Sequence, residues 1–482
     1  MGTRVRFAPS PTGYLHVGGL RTALYNYLFA RHNGGKIVLR IEDTDRTRFV
    51  EDATEKLIAA LRWAGVEFDE SLKDGGDHGP YVQSERNDIY NEHIQKLLDT
   101  GNAYYAFDSS EEIEKMREEL KKQKKTPKYD RNKGKNSTVL SDDEIKKLMD
   151  EGAPYVIRLK VPEDQEVSFK DLIRGEIKVH TSEVDDQILI KSDGYPTYHL
   201  ANVVDDHLMK ISHVIRGEEW LPSTPKHVIL YEAFGWDVPE FAHLPLLLNK
   251  DKTKLSKRHG SVAVEDFINK GYQKEAFVNF IALLGWNPSG DQEIYSIEEL
   301  IEKFEISRVN KAGAVFDHSK LNWMNQQYLK ETPSGELLPK AQQYMAEAGF
   351  DSVDDDLLVK IIDILKDRIE VISEIPEYAP YFFTEDFDYD NEAIEKAFNE
   401  ETNKMIGELN AKFEELDKWE HDEIKSAVKE LTKEKGIKMG KVMKPLRLAV
   451  TGQGHGASMF DTLEILGSEK VTSRIKRFLD NG

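Results

Sequence analysis

His16, Gly18 and Gly19 have residue types and a spacing that suit phosphate binding. They stand between a predicted strand, residues 3–8, and an apolar pattern of helical spacing that begins at Leu20. The first N–H groups of a helix lack partners within it and carry partial positive charge, so anions bind there. Glycine lets a ligand approach the backbone closely, and an imidazole can donate to a phosphate oxygen. These residues predict a nucleotide-binding corner made of a strand, a Pro/Gly turn and a helix.

A run of lysines in residues 249–260 offers complementary chemistry. It follows a buried strand predicted at residues 244–248, and like charges with little apolar surface indicate a mobile loop. A triphosphate would supply the missing counter-charge and draw this loop closed. A charge run taken alone is more often a solvated surface, so both interpretations stay open at this point.

Charged residues also stand at the ends of predicted strands, where parallel α/β sheets collect their ligands. Glu42 follows the second predicted strand, and Arg216 ends a later one. We therefore expect Glu42 to face the same pocket as Arg6 and Ser10.

Two further pairs of polar residues could belong to the same pocket. Asp43 and Asp45 continue the acidic cluster, and the alternative is that they only cap the helix predicted at residues 51–63. Tyr198 and Asn202 are four apart in a helix-like segment, so both can point into one pocket.

The order of the predicted elements indicates the fold class. Strands and helices alternate at first, which is typical of α/β proteins with a parallel sheet. From about residue 104, two capping boxes, at Ser109 and Ser141, open charged helices, and strands are predicted at residues 155–161 and 175–180. The chain beyond residue 262 is overwhelmingly helical. We predict a Rossmann-type parallel sheet with an inserted α+β module, followed by all-helical domains.

Composition excludes several classes of protein. The 482 residues are enough for several domains, and no segment approaches the roughly 18 consecutive apolar residues of a membrane helix. The chain has no cysteine and shows no export signal, so disulfides and thiolate metal sites are excluded and a cytoplasmic location is expected. The net charge of −21 argues against a general nucleic-acid coat, so any RNA contact requires local basic patches.

Several segments, in order along the chain, resemble the signatures of class I aminoacyl-tRNA synthetases of the glutamyl/glutaminyl group. They are Arg6-Phe-Ala-Pro-Ser-Pro-Thr-Gly13 with His16-Val-Gly-Gly19, then Arg40-Ile-Glu-Asp-Thr-Asp45, Val214-Ile-Arg-Gly-Glu-Glu-Trp220 and Lys254-Leu-Ser-Lys-Arg258. One such signature alone is weak evidence, whereas this series over nearly the whole chain is specific. Two positions depart from the class-wide pattern, since Gly19 replaces a histidine and Arg258 replaces a serine.

The resemblance implies ATP-dependent ligation of L-glutamate to the 2′-hydroxyl of the terminal adenosine of tRNA(Glu), through a glutamyl-adenylate. It implies that His16, Lys254 and Lys257 are catalytic, because phosphoryl chemistry needs alignment and charge neutralisation. Magnesium is expected with ATP, although the sequence shows no ligand set for it. The implied ATP-binding residues are His16, Gly18, Gly19, Glu219, Trp220, Leu247, Lys254, Leu255, Ser256, Lys257 and Arg258.

A glutamate pocket must bind one ammonium and two carboxylates. Mapped from the family, Glu42 would take the ammonium, together with Ser10 and the Ala8 carbonyl. Arg6 and Arg216 would take the carboxylates, because a guanidinium binds a carboxylate bidentately. Tyr198 and Asn202 would complete the pocket. A buried arginine facing the side chain would favour glutamate over glutamine, which would leave the cation unpaired.

The resemblance also suggests how the chain divides into domains and where it contacts tRNA. Lysines and arginines concentrate in residues 121–135, where either a solvated loop or contact with the tRNA acceptor end is possible, and a second basic patch spans Lys438 to Arg447. Some relatives bind zinc through cysteines near residue 104; here the stretch Tyr104–Asp108 has none, so no zinc is expected. The predicted segments are 1–103 and 191–262 for the two halves of the catalytic domain, 104–190 for the inserted acceptor-binding module, 263–325 for the stem-contact domain, 326–372 for a linker domain and 373–482 for the anticodon-binding domain.

Three other functions stay open from the sequence. A glutaminyl enzyme shares the first signature but typically carries β-barrels at its C-terminus. A tRNA-modifying glutamyl transferase would lack the helical half. A catalytically inactive RNA-binding or scaffold protein on the same fold would not need His16 or the lysines. We expect a monomer without membrane contact; whether tRNA(Gln) is also charged, and which residues read the anticodon, the sequence leaves undecided.

Overall fold

The computed structural model describes residues 2–44, 50, 52–124, 127–256, 262–385 and 387–481. These residues form two compact units, and each has its own interior. The first contains residues 1–266 and 277–317, and the second contains residues 267–276 and 318–482. The division into six predicted segments is finer than these two units and stays a prediction.

The first unit alternates strands with helices, as the sequence pattern predicts. Its strands are β1 (Arg4–Phe7), β2 (Lys36–Leu39), β3 (Ala103–Ala106), β4 (Val156–Leu159), β5 (Glu166–Asp171), β6 (Gly175–His180), β7 (Ile188–Ile190), β8 (His213–Gly217), β9 (Glu240–Leu244), β10 (Leu247–Leu248) and β11 (Ala314–Val315). Its helices, two of which extend a few residues into the second unit, are α1 (Val17–His32), α2 (Ala53–Trp63), α3 (Asn87–Asp99), α4 (Ser110–Lys122), α5 (Asp142–Asp150), α6 (Tyr198–Leu208), α7 (Thr224–Phe234), α8 (Val264–Asn269), α9 (Lys274–Ala282) and α10 (Ile297–Lys303).

Parallel pairing brings the carboxyl ends of several strands to one side. β1 pairs with β2 in parallel, and β8 pairs with β9 in parallel. The two pairs meet where the Ser212 N–H donates to the Arg4 carbonyl at 2.9 Å. Ligands of such sheets bind beyond these strand ends. The α/β class predicted from the sequence is confirmed.

Residues 104–190 contain the predicted helices and strands. Both capping boxes are present, with the hydroxyls of Ser109 and Ser141 accepting from backbone N–H groups three residues later. β3, β4 and β7 form an antiparallel sheet, and β5 and β6 form a hairpin. β5 also pairs with β9, so the sheet order is β6-β5-β9-β8. The sequence analysis missed β5, although its residues alternate between exposed and buried, as expected for a strand with one face towards solvent.

The strand predicted at residues 244–248 is wrong as a single element. β9 ends at Leu244, and β10 begins at Leu247 and pairs with β11. Pro245 lies between them and has no N–H to give to a sheet, which accounts for the break.

The described residues of the second unit form helices and 3₁₀ turns. The α-helices are α11 (His318–Glu331), α12 (Ser334–Glu347), α13 (Asp355–Leu365), α14 (Ile375–Tyr378), α15 (Asn391–Ala397), α16 (Glu400–Glu414), α17 (His421–Glu434), α18 (Gly440–Thr451), α19 (Met459–Leu466) and α20 (Ser468–Asn481). An extended apolar core, which includes Ile361, Ile406, Leu446 and Ile475, joins most of them. No described helix is both long and apolar enough to cross a bilayer.

The basic patch of the second unit lies along the start of α18. Lys438, Lys441 and Lys444 are exposed, and their spacing of three places them on neighbouring positions of one surface. Arg447 is half-buried and donates to the Ala457 carbonyl at 2.7 Å, so it also has a structural part.

Candidate active site

A cavity of about 1040 Å³ opens beyond the carboxyl ends of β1, β8 and β9, beside the N-terminus of α1. Fourteen of the residues expected at the site line it. They are Arg6, Ala8, Ser10, His16, Gly18, Gly19, Glu42, Tyr198, Arg216, Glu219, Trp220, Leu247, Lys254 and Leu255. The structure therefore brings together residues from five distant parts of the chain.

The phosphate-binding corner is more constrained than the sequence suggests. His16 caps α1, and its Nδ1 accepts from the Gly18 N–H at 2.9 Å. The Val17 N–H is also engaged, with the Val262 carbonyl at 2.8 Å. The expectation that the first N–H groups of this helix are free is therefore wrong for these two. Because Nδ1 accepts, the neutral imidazole carries its proton on Nε2.

The glycines of the corner are needed by the protein itself. A Cβ at Gly19 would lie 3.0 Å from Leu15 Cδ1, and one at Gly18 would lie 3.2 Å from His16 Nδ1. Both distances are below ordinary van der Waals contact. Close packing around His16 is therefore a second reason for Gly18-Gly19, beside the approach of a ligand.

A buried cluster of ion pairs supports the side of the cavity near Arg6. The Arg6 Nε lies 3.1 Å from Asp206, and Asp206 also accepts from Arg40 at 2.7 Å. Arg40 is fully buried and donates to Glu42 at 3.0 Å. Asp205 joins the cluster because it lies 3.7 Å from Arg40, and it also pairs with Arg86 at 2.7 Å. The sequence analysis placed Arg6 and Glu42 at the site but missed that Asp206 and Arg40 hold them.

Charge within this cluster is balanced. Burial alone would lower the pKa of Arg40, but the carboxylates of Asp206, Glu42 and Asp205 raise it well above its ordinary value. Burial would raise the pKa of Asp206, and the charges of Arg6 and Arg40 outweigh it, so that pKa is lowered. Burial does raise the pKa of Glu42, against the opposing charges of Arg40 and Arg6. A cation arriving at Glu42 would favour its ionised form.

Arg216, on the other side, is surrounded by neutral groups. Its guanidinium donates to Tyr198 Oη at 2.9 Å, to Thr224 Oγ1 at 3.0 Å and to His243 Nε2 at 3.1 Å. His227 Nδ1 lies 3.3 Å from both terminal nitrogens. Within the described part of the chain, no carboxylate forms an ion pair with Arg216.

The histidines near Arg216 are held uncharged. Burial lowers the pKa of His227 well below its ordinary value, and the charge of Arg216 adds to this. His199 Nδ1 lies 3.0 Å from His227 Nε2; burial, with the charges of Lys226 and Arg216, lowers the pKa of His199 to about 4. Neither His199 nor His207, whose ring stacks on Trp236 with 3.7 Å between centroids, is among the residues that line the cavity.

The remaining part of the cavity suits a planar base. The Tyr198 and Trp220 rings lie 4.2 Å apart between centroids, and Trp220 is 36% exposed and lines the cavity, so a part of its ring surface is accessible to a ligand. Lys254 is exposed at the cavity wall, directly before buried Leu255, whose N–H donates to the Leu247 carbonyl at 2.9 Å.

Not every predicted site residue is found among the residues that line the cavity. Asn202 is buried and is not among the lining residues; its amide oxygen has no hydrogen-bond partner in the described part of the chain. Ser256 is half-buried and is likewise not among the lining residues. Lys257 and Arg258 lie outside the described residues, as does Asp45. Their assignments stay predictions.

The interpretation of Asp43 as a helix cap is wrong. Its carboxylate accepts from the Ser84 N–H at 2.8 Å and from the Ser84 hydroxyl at 2.6 Å. The cap position of α2 is Asp52, which makes no side-chain capping bond. Asp43 also does not line the cavity, so it fastens the segment after β2 to residue 84.

No group of three or more His, Asp or Glu residues suited to a metal ion occurs among the residues that the structure describes. In the stretch Tyr104–Asp108, the Tyr104 hydroxyl donates to Asp186 at 2.6 Å, and Asp108 accepts from Tyr129 at 2.5 Å. Polar and aromatic side chains fill this position; the expectation that zinc is not bound stays a prediction.

A comparison with protein families matches the model of the catalytic domain of class I tRNA synthetases (E and Q) to residues 2–323. The chain belongs to this family. The model of an anticodon-binding domain matches residues 336–479, within the helical second unit.

Curated relatives of this synthetase family extend the match over nearly the whole chain. A glutamate–tRNA ligase of Chlorobaculum parvum is 50% identical, covering 99% of this chain and 97% of that protein. One of Alkaliphilus metalliredigens is 47% identical, covering 98% of each chain. A crystal structure of a glutamate tRNA ligase from Elizabethkingia meningosepticum, in complex with its amino acid, has a TM-score of 0.93 and 44% identity over 100% of this chain and 99% of that one. The fold class and the family resemblance predicted from the sequence are confirmed.

Proposed function

We propose that this synthetase activates L-glutamate with ATP and transfers it to the 2′-hydroxyl of the terminal adenosine of tRNA(Glu). In the first step a glutamate α-carboxylate oxygen attacks the α-phosphorus of ATP and pyrophosphate leaves. In the second step the 2′-hydroxyl attacks the carbonyl of the adenylate and AMP leaves. The observation that carries the proposal is a single cavity whose lining includes Arg6, Glu42 and Arg216 together with His16 and Lys254.

The charges of the cavity suit glutamate. Glu42 faces it with a carboxylate, which matches an ammonium group, and Arg216 faces it with a cation that the described residues do not neutralise. A dicarboxylate supplies the missing negative charge, whereas glutamine supplies only a neutral amide. We assign the side-chain carboxylate to Arg216 and Tyr198, which already share a hydrogen bond.

The ATP-binding side needs alignment and positive charge. His16 would hold a phosphate through Nε2, and Lys254 with Lys257 would neutralise the charge that builds on the leaving pyrophosphate. The edge formed by Glu219, Trp220 and the backbone at Leu247 would hold the adenosine. Magnesium would accompany ATP as its usual counter-ion.

Glutamate-dependent exchange of pyrophosphate into ATP, run with and without tRNA(Glu), tests the proposal. Exchange with glutamate and tRNA, followed by transfer of labelled glutamate to tRNA, is expected. Activity with glutamine instead would favour a glutaminyl enzyme, and transfer to a modified base would favour a glutamyl transferase. A folded protein that is silent with glutamate, ATP, magnesium and tRNA(Glu) would favour the inactive scaffold.

Lys257→Ala sharpens the catalytic assignment. It should lower the rate of adenylation by more than it weakens glutamate binding, because the charge it meets develops in the transition state. Lys252→Ala, in the same lysine run but outside the signature, is the matched control and should change neither. Equal effects of Lys257→Ala on the rate of adenylation and on glutamate binding would contradict a role for Lys257 in stabilising the transition state.

Contact between tRNA and the lysine-rich segment 121–135 is part of the proposal. Lys135 pairs with Glu112 at 2.6 Å and Arg131 with Asp186 at 2.9 Å, so these two have partners within the protein. Lys121, Lys122 and Lys124 are exposed. Neutralising these three should weaken tRNA binding and flatten its salt dependence, whereas neutralising exposed Lys147 should not. An unchanged salt slope would make the segment a solvated surface. The monomeric state and the cytoplasmic location stay predictions.

A further inference from the structure

The hydrogen bond between Arg216 and His243 depends on which nitrogen of the imidazole carries the proton. Arg216 and His243 are register partners on parallel strands β8 and β9, and Arg216 Nε donates to His243 Nε2 at 3.1 Å. Arginine has donors only, so Nε2 must present its lone pair. The proton of the neutral ring must then be on Nδ1.

Asp171 lies where it can fix that choice. Its Oδ2 is 2.7 Å from His243 Nδ1 and also accepts from the His243 N–H at 3.1 Å. Its Oδ1 accepts from the N–H groups of Ile173 and Arg174, at 3.0 and 2.8 Å. The Asp171 carboxylate therefore accepts from four donors, and the residue is buried, with 1% of its surface exposed.

The charge states of this pair agree with the geometry. Burial would raise the pKa of Asp171, but the bonds from His243 and from the backbone outweigh it and lower that pKa. Burial lowers the pKa of His243, and the positive charge of Arg216 acts in the same direction against Asp171. An ionised Asp171 beside a neutral ring accepts the Nδ1 proton, which leaves Nε2 as an acceptor.

We propose that Asp171 is a positioning residue for the glutamate subsite, because it holds His243 in the one tautomer that can accept from Arg216. The proposal rests on the proposed function, in which Arg216 meets a glutamate carboxylate. A ring with its proton on Nε2 would turn an N–H towards the Arg216 Nε–H, and the guanidinium would lose the partner that holds its Nε. Preorganised orientation is what a charged binding group contributes beyond its charge.

Asp171 also shows which part of the chain supports the subsite. It ends β5, within residues 104–190, and pairs with Phe241 of β9. The orientation of Arg216 is therefore set partly from the predicted acceptor-binding module and not from the catalytic sheet alone.

Asp171→Asn tests the proposal, because the amide keeps the size of the side chain and can donate to Nδ1, which favours the wrong tautomer. The KM for glutamate should rise about tenfold or more, the cost of one hydrogen bond to a charged group, while the KM for ATP changes less than about twofold. Lys178→Ala, an exposed change on the same hairpin, is the matched control. A merely structural part for Asp171 would lower the melting temperature and move both KM values together, and that result would overturn the proposal.

His243 provides the independent arm. His243→Gln offers an amide oxygen to Arg216 and should keep the KM for glutamate near that of the wild type, whereas His243→Leu should raise it about tenfold. Without the imidazole there is no tautomer to fix, so Asp171→Asn should add no further rise to His243→Gln. The comparison of His243→Gln with His243→Leu tests the proposal even if the Asp171→Asn variant does not fold. Equal KM values for the Gln and Leu variants would overturn the proposal. A wild-type protein without glutamate-dependent activity would instead count against the proposed function.

Discussion

Arg6 and Arg216 line the same cavity, and their surroundings differ in kind. Arg6 pairs with Asp206, which is shared with fully buried Arg40, and this cluster balances its own charge. Arg216 donates to a tyrosine, a threonine and a histidine, and no described carboxylate pairs with it. Arg6 therefore belongs to a charge-balanced cluster of the fold, whereas the charge of Arg216 would be neutralised by a ligand carboxylate under the proposed function.

Under the proposed function, this difference would let one cavity be both stable and selective for glutamate. Removing one partner of a buried ion pair strongly destabilises the folded protein, so substitutions in the cluster around Arg6 should be poorly tolerated. A buried cation without a counter-ion costs stability in the free protein, and a carboxylate removes that cost on binding. The comparison predicts that the two sides respond oppositely to the same type of substitution.

The largest effect is expected from Arg40→Met. It leaves Asp206, Asp205 and Glu42 buried with too little positive charge and should lower the free energy of unfolding by about 3–5 kcal/mol. Urea unfolding measures this, with Arg62→Met, a change at a 58% exposed side chain, as the control. A loss below about 1 kcal/mol would show that the cluster does not hold its side of the cavity.

Arg216→Met should act on binding and not on folding. The KM for glutamate should rise roughly a hundredfold, the equivalent of about 3 kcal/mol, and discrimination against glutamine should shrink. The melting temperature of the free protein should stay the same or rise, because an unpaired buried charge is removed. A clear fall in the melting temperature would contradict the contrast with Arg40.

The surroundings of Arg216 and of Arg6 should differ in how their contribution to the free energy of unfolding changes as the pH falls. His199 and His227 stay neutral in the folded protein but take up protons below about pH 6.5 in the unfolded chain, so stability falls as the pH drops from about 6.5 towards 4. Each such histidine contributes up to about 1.4 kcal/mol per pH unit. Asp206, whose pKa is lowered, loses its contribution only as the pH falls below its ordinary value of 3.8.

His199→Gln should therefore flatten the stability change between pH 6.5 and pH 5, as measured by urea unfolding at both values. Asp206→Asn should leave that change intact while lowering stability at both pH values. An unchanged pH dependence in the His199 variant would place the acid sensitivity elsewhere.

The smallest effect is expected from Tyr198→Phe. It removes one neutral acceptor from Arg216 and should raise the KM for glutamate about fivefold, in keeping with one hydrogen bond of about 1 kcal/mol. Steady-state kinetics with saturating ATP and tRNA measure it. A rise as large as that of Arg216→Met would mean that Tyr198, and not the cation, dominates recognition.

Local patterns in the sequence predicted the residues that face the cavity, because Arg6, His16, Glu42, Arg216 and Lys254 sit in short signatures. The residues that hold them were missed. Asp206 is 200 positions from Arg6, and Asp171 is 72 from His243. Periodicity predicts an element but not its register against a distant strand, and the tautomer of His243 depends on that register.

Two of the misses had a visible signal. Pro245 marks the end of β9, since proline cannot continue a central strand, and the alternation of residues 166–171 marks β5. The capping of α1 by His16, whose Nδ1 accepts from the Gly18 N–H, had no such signal, because capping depends on a side-chain rotamer.

The pairing of β5 with β9 limits how this protein can be recombined with its relatives. A graft that exchanges residues 104–190 as a cassette would cut the sheet between Asp171 and Phe241 and deprive His243 of its carboxylate. A chimera that keeps residues 166–180 with residues 213–244 leaves the sheet whole. Donor sequences for such a swap should therefore be chosen by the residue that they place opposite His243.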